Sequence, residues 1–168
     1  MSHVNDTTDS TDITARSRTN FPDVVLRQIS RHRVMDALER LEFGYSVDTY
    51  AEISSKWDHG RFYFNLAGSA DDILSVSGYW SDYLPPEYRA DLLEFCNDWN
   101  SGHHMPSAAV TEDEDGDIYV AVEHAVHYRF GAADDQISQH ILSAISGGCI
   151  LFASLAERFG DGVEDIDY

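Results

Sequence analysis

The stretch Glu87 to Tyr128, EYRADLLEFCNDWNSGHHMPSAAVTEDEDGDIYVAVEHAVHY, decides the fold. It reads as an amphipathic helix, a short link containing Asn97-Asp98-Trp99-Asn100, and two strands joined by an acidic turn. Ahead of it, Leu84-Pro85-Pro86 ends a strand and starts the helix, because proline suits the first helical turn, where its missing N–H would have no partner anyway. Tyr88, Leu92, Phe95, Cys96 and Trp99 recur at helical spacing and form a core stripe. Ser101-Gly102 ends the helix, and Pro106 opens a strand from Ser107 to Glu112. In Asp113-Glu114-Asp115-Gly116-Asp117 the Asp-Gly pair supplies the backbone angle that a hairpin turn needs. The following strand alternates, with Ile118, Val120, Val122 and Val126 on one face, until Gly131 breaks it.

Outward from this unit, three strands are predicted before it. They are Tyr45 to Ile53, then Arg61 to Leu66 with Phe62, Phe64 and Leu66 on one face, then Ile73 to Trp80 with Leu74, Val76 and Trp80 together. Loops this short favour antiparallel neighbours. Ser30 is the expected N-cap of a helix to about Leu41, with Val34, Leu38 and Leu41 inward and Gly44 as its stop. Arg27, Arg31 and Arg33 make a basic patch that either pairs with acid inside the chain or docks an acidic partner. The last helix runs from about Asp134 to Phe159 with a stripe of Ile137, Ile141, Ala144, Ile145, Phe152, Leu155 and Phe159. Gly148 lies within that stripe and permits close approach of another element. Leu142, Cys149 and Ile150 fall outside it, so this helix is expected to be buried on two sides or against a second subunit. The expected fold is α+β, in the order helix-β-β-β-helix-β-β-helix, with a mostly antiparallel five-stranded sheet and helices packed on it. The domain is expected over residues 21–159, between a disordered tail at 1–20, poor in apolar side chains, and an acidic tail at 160–168.

The 168 residues carry 11 basic and 30 acidic side chains, a net charge of −19. Such a surface repels phosphate backbones and anionic lipid, so neither nucleic acid nor membrane is an expected partner. Cys96 and Cys149 both fall in predicted helices and read as free thiols. No apolar leader is visible and no run reaches about 18 apolar residues, so a cytoplasmic location is expected.

No residue pattern specifies a reaction. His103-His104 are adjacent, and His124 and His127 fall on opposite faces of a strand, so neither pair builds the three or four converging ligands zinc needs. In the acidic turn the glycine comes too early for a calcium loop, and His124 stands where a distal glutamate would be. Gly147-Gly148 follow Ser146 within a helix rather than a strand, which is not a phosphate cradle. Cys96 is near His103 and His104 in sequence but lies on the core stripe, where a thiol is inert. No catalytic residue, metal or cofactor is expected.

The element order, Asn97-Asp98-Trp99-Asn100, Pro106 after it, and the helix opening Asp134-Asp135-Gln136-Ile137 together resemble the YbjN family, over about Ile29 to Phe159. That family is similar in fold to type III secretion chaperones and is described as sensory-transduction regulators. The resemblance implies a homodimer that binds an unidentified partner polypeptide. Asn97, Trp99 and Asn100 match the family's signature, and Pro106 matches the proline that begins its next strand. Trp99 would close the core stripe, and Asn97 and Asn100 would satisfy backbone groups where the helix unwinds. Two departures stand out. His103-His104 replace the basic residues usual after the signature, and Ala132-Ala133 stand where a Ser or Thr cap is usual. The expected function is non-catalytic polypeptide binding or regulation. Its contacts would be Tyr63 and Tyr79 on the sheet and Leu142, Cys149 and Ile150 between subunits. The alternative is a ligand sensor or enzyme with a pocket at Trp80, Trp99, His103 and His104.

Overall fold

The computed structural model describes residues 24–160. The tails expected at 1–20 and 160–168 lie outside these residues, Gly160 excepted.

Ser30 caps α1 (Arg31–Arg40), its hydroxyl accepting from the Arg33 N–H. The helix ends earlier than Gly44. Glu42 takes the left-handed conformation (φ 58) and Phe43 N–H donates to Leu38 O at 2.9 Å, which closes the last turn.

The sheet has six strands rather than the five expected: β1 (Ser46–Val47), β2 (Ile53–Trp57), β3 (Gly60–Ala67), β4 (Ile73–Trp80), β5 (Ser107–Glu112) and β6 (Ile118–His127). The predicted strand Tyr45 to Ile53 is two, because Asp48 folds the chain back on itself. Its carboxylate accepts from Tyr50 N–H and Glu52 N–H, both at 2.8 Å, and Ala51 takes φ 62. Every pairing is antiparallel, in the order β1-β2-β3-β4-β6-β5.

A 3₁₀ turn (Pro86–Tyr88) leads into α2 (Arg89–Gly102), which lies on β5; Arg89 pairs with Glu112 at the far end of that strand. The segment Asn97–Asn100, read as a link, lies within α2, which ends at Gly102, where Ser101-Gly102 was expected to end it. Helix α3 (Asp134–Phe159) crosses β3, β4 and β6 on one face and meets α1. Its N-terminus lacks the Ser or Thr cap, and Gln136 Oε1 instead accepts from Ala133 N–H at 2.8 Å.

Period-two alternation puts Phe62, Phe64, Leu74, Val76, Trp80, Val120 and Val122 under the helices, all buried. Full burial of each large side chain contributes about 1.5–3 kcal/mol. Gly148 of α3 sits on Phe62, and a Cβ built there would stand 2.6 Å from the ring. The neighbouring Gly147 meets Pro106 in the same way. Thus α3 is enclosed by the sheet, by α1 and by the Met105-Pro106 segment, and ten of its residues are buried. By length and composition alone α3 would also pass for a bilayer-crossing helix, a test that a core helix meets equally well.

Candidate functional site: the open face of the sheet

The helices cover one face of the sheet. The other presents the alternate residues of each strand, and on it four tyrosines converge. Tyr63 of β3 and Tyr79 of β4 lie edge to face with ring centroids 5.7 Å apart. Tyr79 is 6.3 Å from Tyr119 of β6, and Tyr119 is 5.2 Å from Tyr83, in the connection after β4. The register causes this. Tyr63 faces Ser77, Tyr79 faces Ala121, and these small partners leave room for the rings. Tyr79 and Tyr83 are 38% and 40% exposed, an unusual load of aromatic surface for an open sheet face.

The rings floor a concavity of about 570 Å³ rimmed by Glu52, Lys56, Arg61 and Asn65. Arg61 donates to Ser54 Oγ at 3.4 Å, and Ser75 donates to Glu123 at 2.7 Å, which places a carboxylate farther along the face. Burial, followed by the neighbouring Tyr119 and Tyr63, raises the Tyr79 phenol above its ordinary pKa. The face thus offers phenol hydroxyls, flat rings, the two cations Lys56 and Arg61, and the carboxylates of Glu52 and Glu123. It suits binding by stacking and hydrogen bonds.

Of the expected contact residues, Tyr63 and Tyr79 are brought together. Sequence reading missed Tyr83 and Tyr119. The alternation that buries Ile118 and Val120 already turned Tyr119 to the opposite face, but its meeting with Tyr79 depends on the non-consecutive pairing of β4 with β6.

The Leu142, Cys149 and Ile150 group is split. Ile150 is 60% exposed, whereas Cys149 lines a hollow with Trp57 and Phe152. The Trp80, Trp99, His103 and His104 pocket does not assemble. Trp80 is buried under the helices. The His103 ring lies flat on Trp99, 3.6 Å between centroids, and His104 is exposed. Trp99 Nε1 is spent on Pro106 O at 2.9 Å. Asn100 donates to Ala108 O at 2.9 Å and accepts from Ala108 N–H at 2.8 Å, while Asn97 is exposed. Pro106, buried, follows a cis bond from Met105.

The amino-terminal basic patch is consumed internally. Arg33, 8% exposed, places all five of its N–H donors, on Asp134 Oδ1 twice and on the carbonyls of Arg27, Gln28 and Ala132. Arg27 adds a bond to Asp134 Oδ2 at 2.7 Å, and Arg31 donates to Ala51 O.

Elsewhere, burial pushes the Cys96 thiol up to about 11, and burial followed by the charge of Asp58 raises Cys149, so both are protonated and unreactive. His124 and His127 do fall on opposite faces: His127 meets Asp72 at 2.9 Å, and the His124 ring packs on His140. Among the described residues no three His, Cys, Asp or Glu side chains are grouped to hold a metal.

Comparison with known proteins matches residues 30–159 to YbjN, a family described as "putative bacterial sensory transduction regulator". No curated relative matches. Among solved structures, the crystal structure of E. coli YbjN, described as "a putative transcription regulator", superimposes with a TM-score of 0.68 at 11% identity, covering 80% of this chain and 96% of that one. At that identity the likeness concerns the fold alone. The family match spans most of the chain, and the chain belongs to the YbjN family.

Proposed function

We propose that this protein is a non-catalytic cytoplasmic regulator that binds a partner polypeptide across the open face of its sheet. The observation that carries the reading is the cluster of Tyr63, Tyr79, Tyr83 and Tyr119 on a face that no helix covers. Tyrosine, with Trp and Arg, is enriched at binding hot spots, since it combines large area with few rotors and a polar tip. The sheet edges support the same choice over strand addition. The β1 edge is two residues long, and at Ala108 the β5 edge is already occupied by Asn100. The family's description as a regulator, with no reaction attached, agrees with this.

The experiment is photo-crosslinking in the host cell with benzoylphenylalanine in place of Tyr79, compared with the same group at the exposed Leu93 of α2. A discrete adduct formed from Tyr79 and absent from Leu93 is the expected result. Identical patterns from both sites would remove the face as the contact.

A second reading, a homodimer through Leu142, Cys149 and Ile150, draws on the exposure of Ile150. Its test is the mass in solution of Leu142→Asp against the parent; an unchanged oligomeric state would discard that contact.

A further inference from the structure

We propose that the segment received by the tyrosine face is proline-rich and lies on it as a polyproline II helix, uncharged where it meets the rings. This names the chemistry of the partner and rests on reading the face as the partner surface. Ring geometry, hydrogen-bonding character and charge all point to this occupant.

Tyr79 pairs with Arg61 of β3 and Ala121 of β6, each two residues from Tyr63 and Tyr119 respectively, and toward opposite ends of the sheet. The three rings therefore run obliquely across β3, β4 and β6, and Tyr83 extends the row beyond Tyr119. Successive centroids are 5.7, 6.3 and 5.2 Å apart, and successive rings are inclined by 70°, 54° and 58°. Rings so inclined leave three wedge-shaped notches rather than one flat platform. A planar base stacks on a parallel face, whereas the compact, puckered pyrrolidine ring seats in a notch. Polyproline II rises about 3.1 Å per residue, so each step of the row is about two residues and the four rings meet about six.

The backbone chemistry disfavours an ordinary extended chain here. β3 and β4 are paired on both sides, so their own N–H and C=O groups are spent within the sheet. A peptide lying across them brings N–H groups that no strand backbone there can accept, and an unpaired buried N–H costs about 1–3 kcal/mol. Proline has no N–H, and its fixed φ means that little freedom is lost on docking. The carbonyls of a polyproline II helix stand outward, and the phenol hydroxyls, Lys56, Arg61 and Asn65 can donate to them. Charge agrees. In a chain of net charge −19 this face sets Lys56 and Arg61 against Glu52 and Glu123, which cancel. It therefore neither attracts a polyanion nor selects a basic segment, and an uncharged one is desolvated there at least cost.

The test titrates the ¹⁵N-labelled full chain with blocked octaproline and with a blocked Ser-Thr octamer, followed by ¹H–¹⁵N correlation spectra. Octaproline is expected to shift the amides of Tyr63, Tyr79, Tyr83 and Tyr119 saturably and to bind at least tenfold more tightly than the Ser-Thr peptide. Tyr79→Ser should weaken it at least tenfold. Phe130→Ser, which removes an exposed ring beyond the far end of β6, should leave it unchanged. Equal responses to the two peptides would overturn the proposal. So would the absence of any shift at these residues with octaproline at about 5 mM, where even millimolar binding registers. In that event a Tyr79 crosslink to a partner polypeptide would leave the partner reading standing and remove only its proline content, so the two fail separately.

Discussion

The Asn100 carboxamide and the Ala108 backbone form a reciprocal pair, Nδ2 donating to the carbonyl at 2.9 Å and Oδ1 accepting from the N–H at 2.8 Å. This is the pairing a neighbouring strand would make, supplied by one side chain from α2. With Trp99 Nε1 on Pro106 O, it seals the start of β5 against another strand. Trp99 and Asn100 thus lock this edge, which leaves the open face of the sheet as the surface free to meet a partner.

Asn100→Leu leaves the Ala108 N–H and C=O unpaired beside an apolar group. It is expected to destabilise the fold by about 1–3 kcal/mol. Urea titration measures the loss, and amide exchange should locate it at Ala108. Unchanged protection at Ala108 would mean that the bond does not hold the edge.

Gly78 and Gly148 clasp the Phe62 ring from β4 and α3, and a Cβ on either would stand 2.5–2.6 Å from it. Gly148→Ala should cost about 1–3 kcal/mol through overpacking. Phe62→Leu in the same chain should return part of that, because neighbours sharing one space are not additive. A double-mutant cycle by chemical denaturation reads the coupling; strict additivity would contradict the contact.

His140 is 4% exposed, and burial lowers its pKa from 6.5 to about 4. Its Nε2–H donates to His124 O at 2.9 Å and its Nδ1 accepts from the Tyr128 hydroxyl at 3.3 Å, the tautomer that serves both. Because the unfolded chain takes up the proton first, stability is full above 6.5 and declines as pH falls from 6.5 to about 4. The full decline is up to about 3 kcal/mol. His124, also lowered by burial, acts in the same direction. Thermal unfolding of His140→Gln across this range should give a flatter profile than the parent; parallel profiles would exclude the histidine.

Asp134 behaves with the same sign at lower pH. The hydrogen bond from Arg33 holds its carboxyl below the ordinary 3.8, against the opposing effect of burial, with help from the charges of Arg27, Arg33 and Arg40. Its contribution is present above 3.8 and is lost as pH falls through the lowered value. Asp134→Asn should remove that part of the acid unfolding limb. Arg33→Met, which orphans three carbonyls as well, should cost about 3 kcal/mol or more at neutral pH. Equal effects of the two substitutions would show that the carbonyl bonds contribute nothing.

How far these features could be read in advance follows from how local their causes are. The alternation of Phe62, Phe64 and Leu66, the Asp-Gly turn and the Ser30 cap each depend on residues a few places apart, and each is legible. The division of Tyr45 to Ile53 was hidden because one residue, Asp48, redirects two backbone N–H groups. Arg33 read as patch charge because Asp134 lies 101 residues away. Asn100 was recognised as a partner for backbone groups, but the backbone it serves is an edge strand rather than the end of its own helix. Two tyrosines of the candidate site were visible as exposed aromatics. The cluster emerges only when β6 inserts between β4 and β5.

The central claim is that the open tyrosine face engages a polypeptide, and the most direct measurement is quantitative mass spectrometry of what co-purifies from the host cell with the parent chain and with Tyr79→Ser/Tyr119→Ser, after circular dichroism shows the variant folded. The account predicts a specific polypeptide retained by the parent and depleted at least tenfold from the variant, as losing about 1.4 kcal/mol or more of binding would produce. A co-purifying set that is the same for both would contradict it.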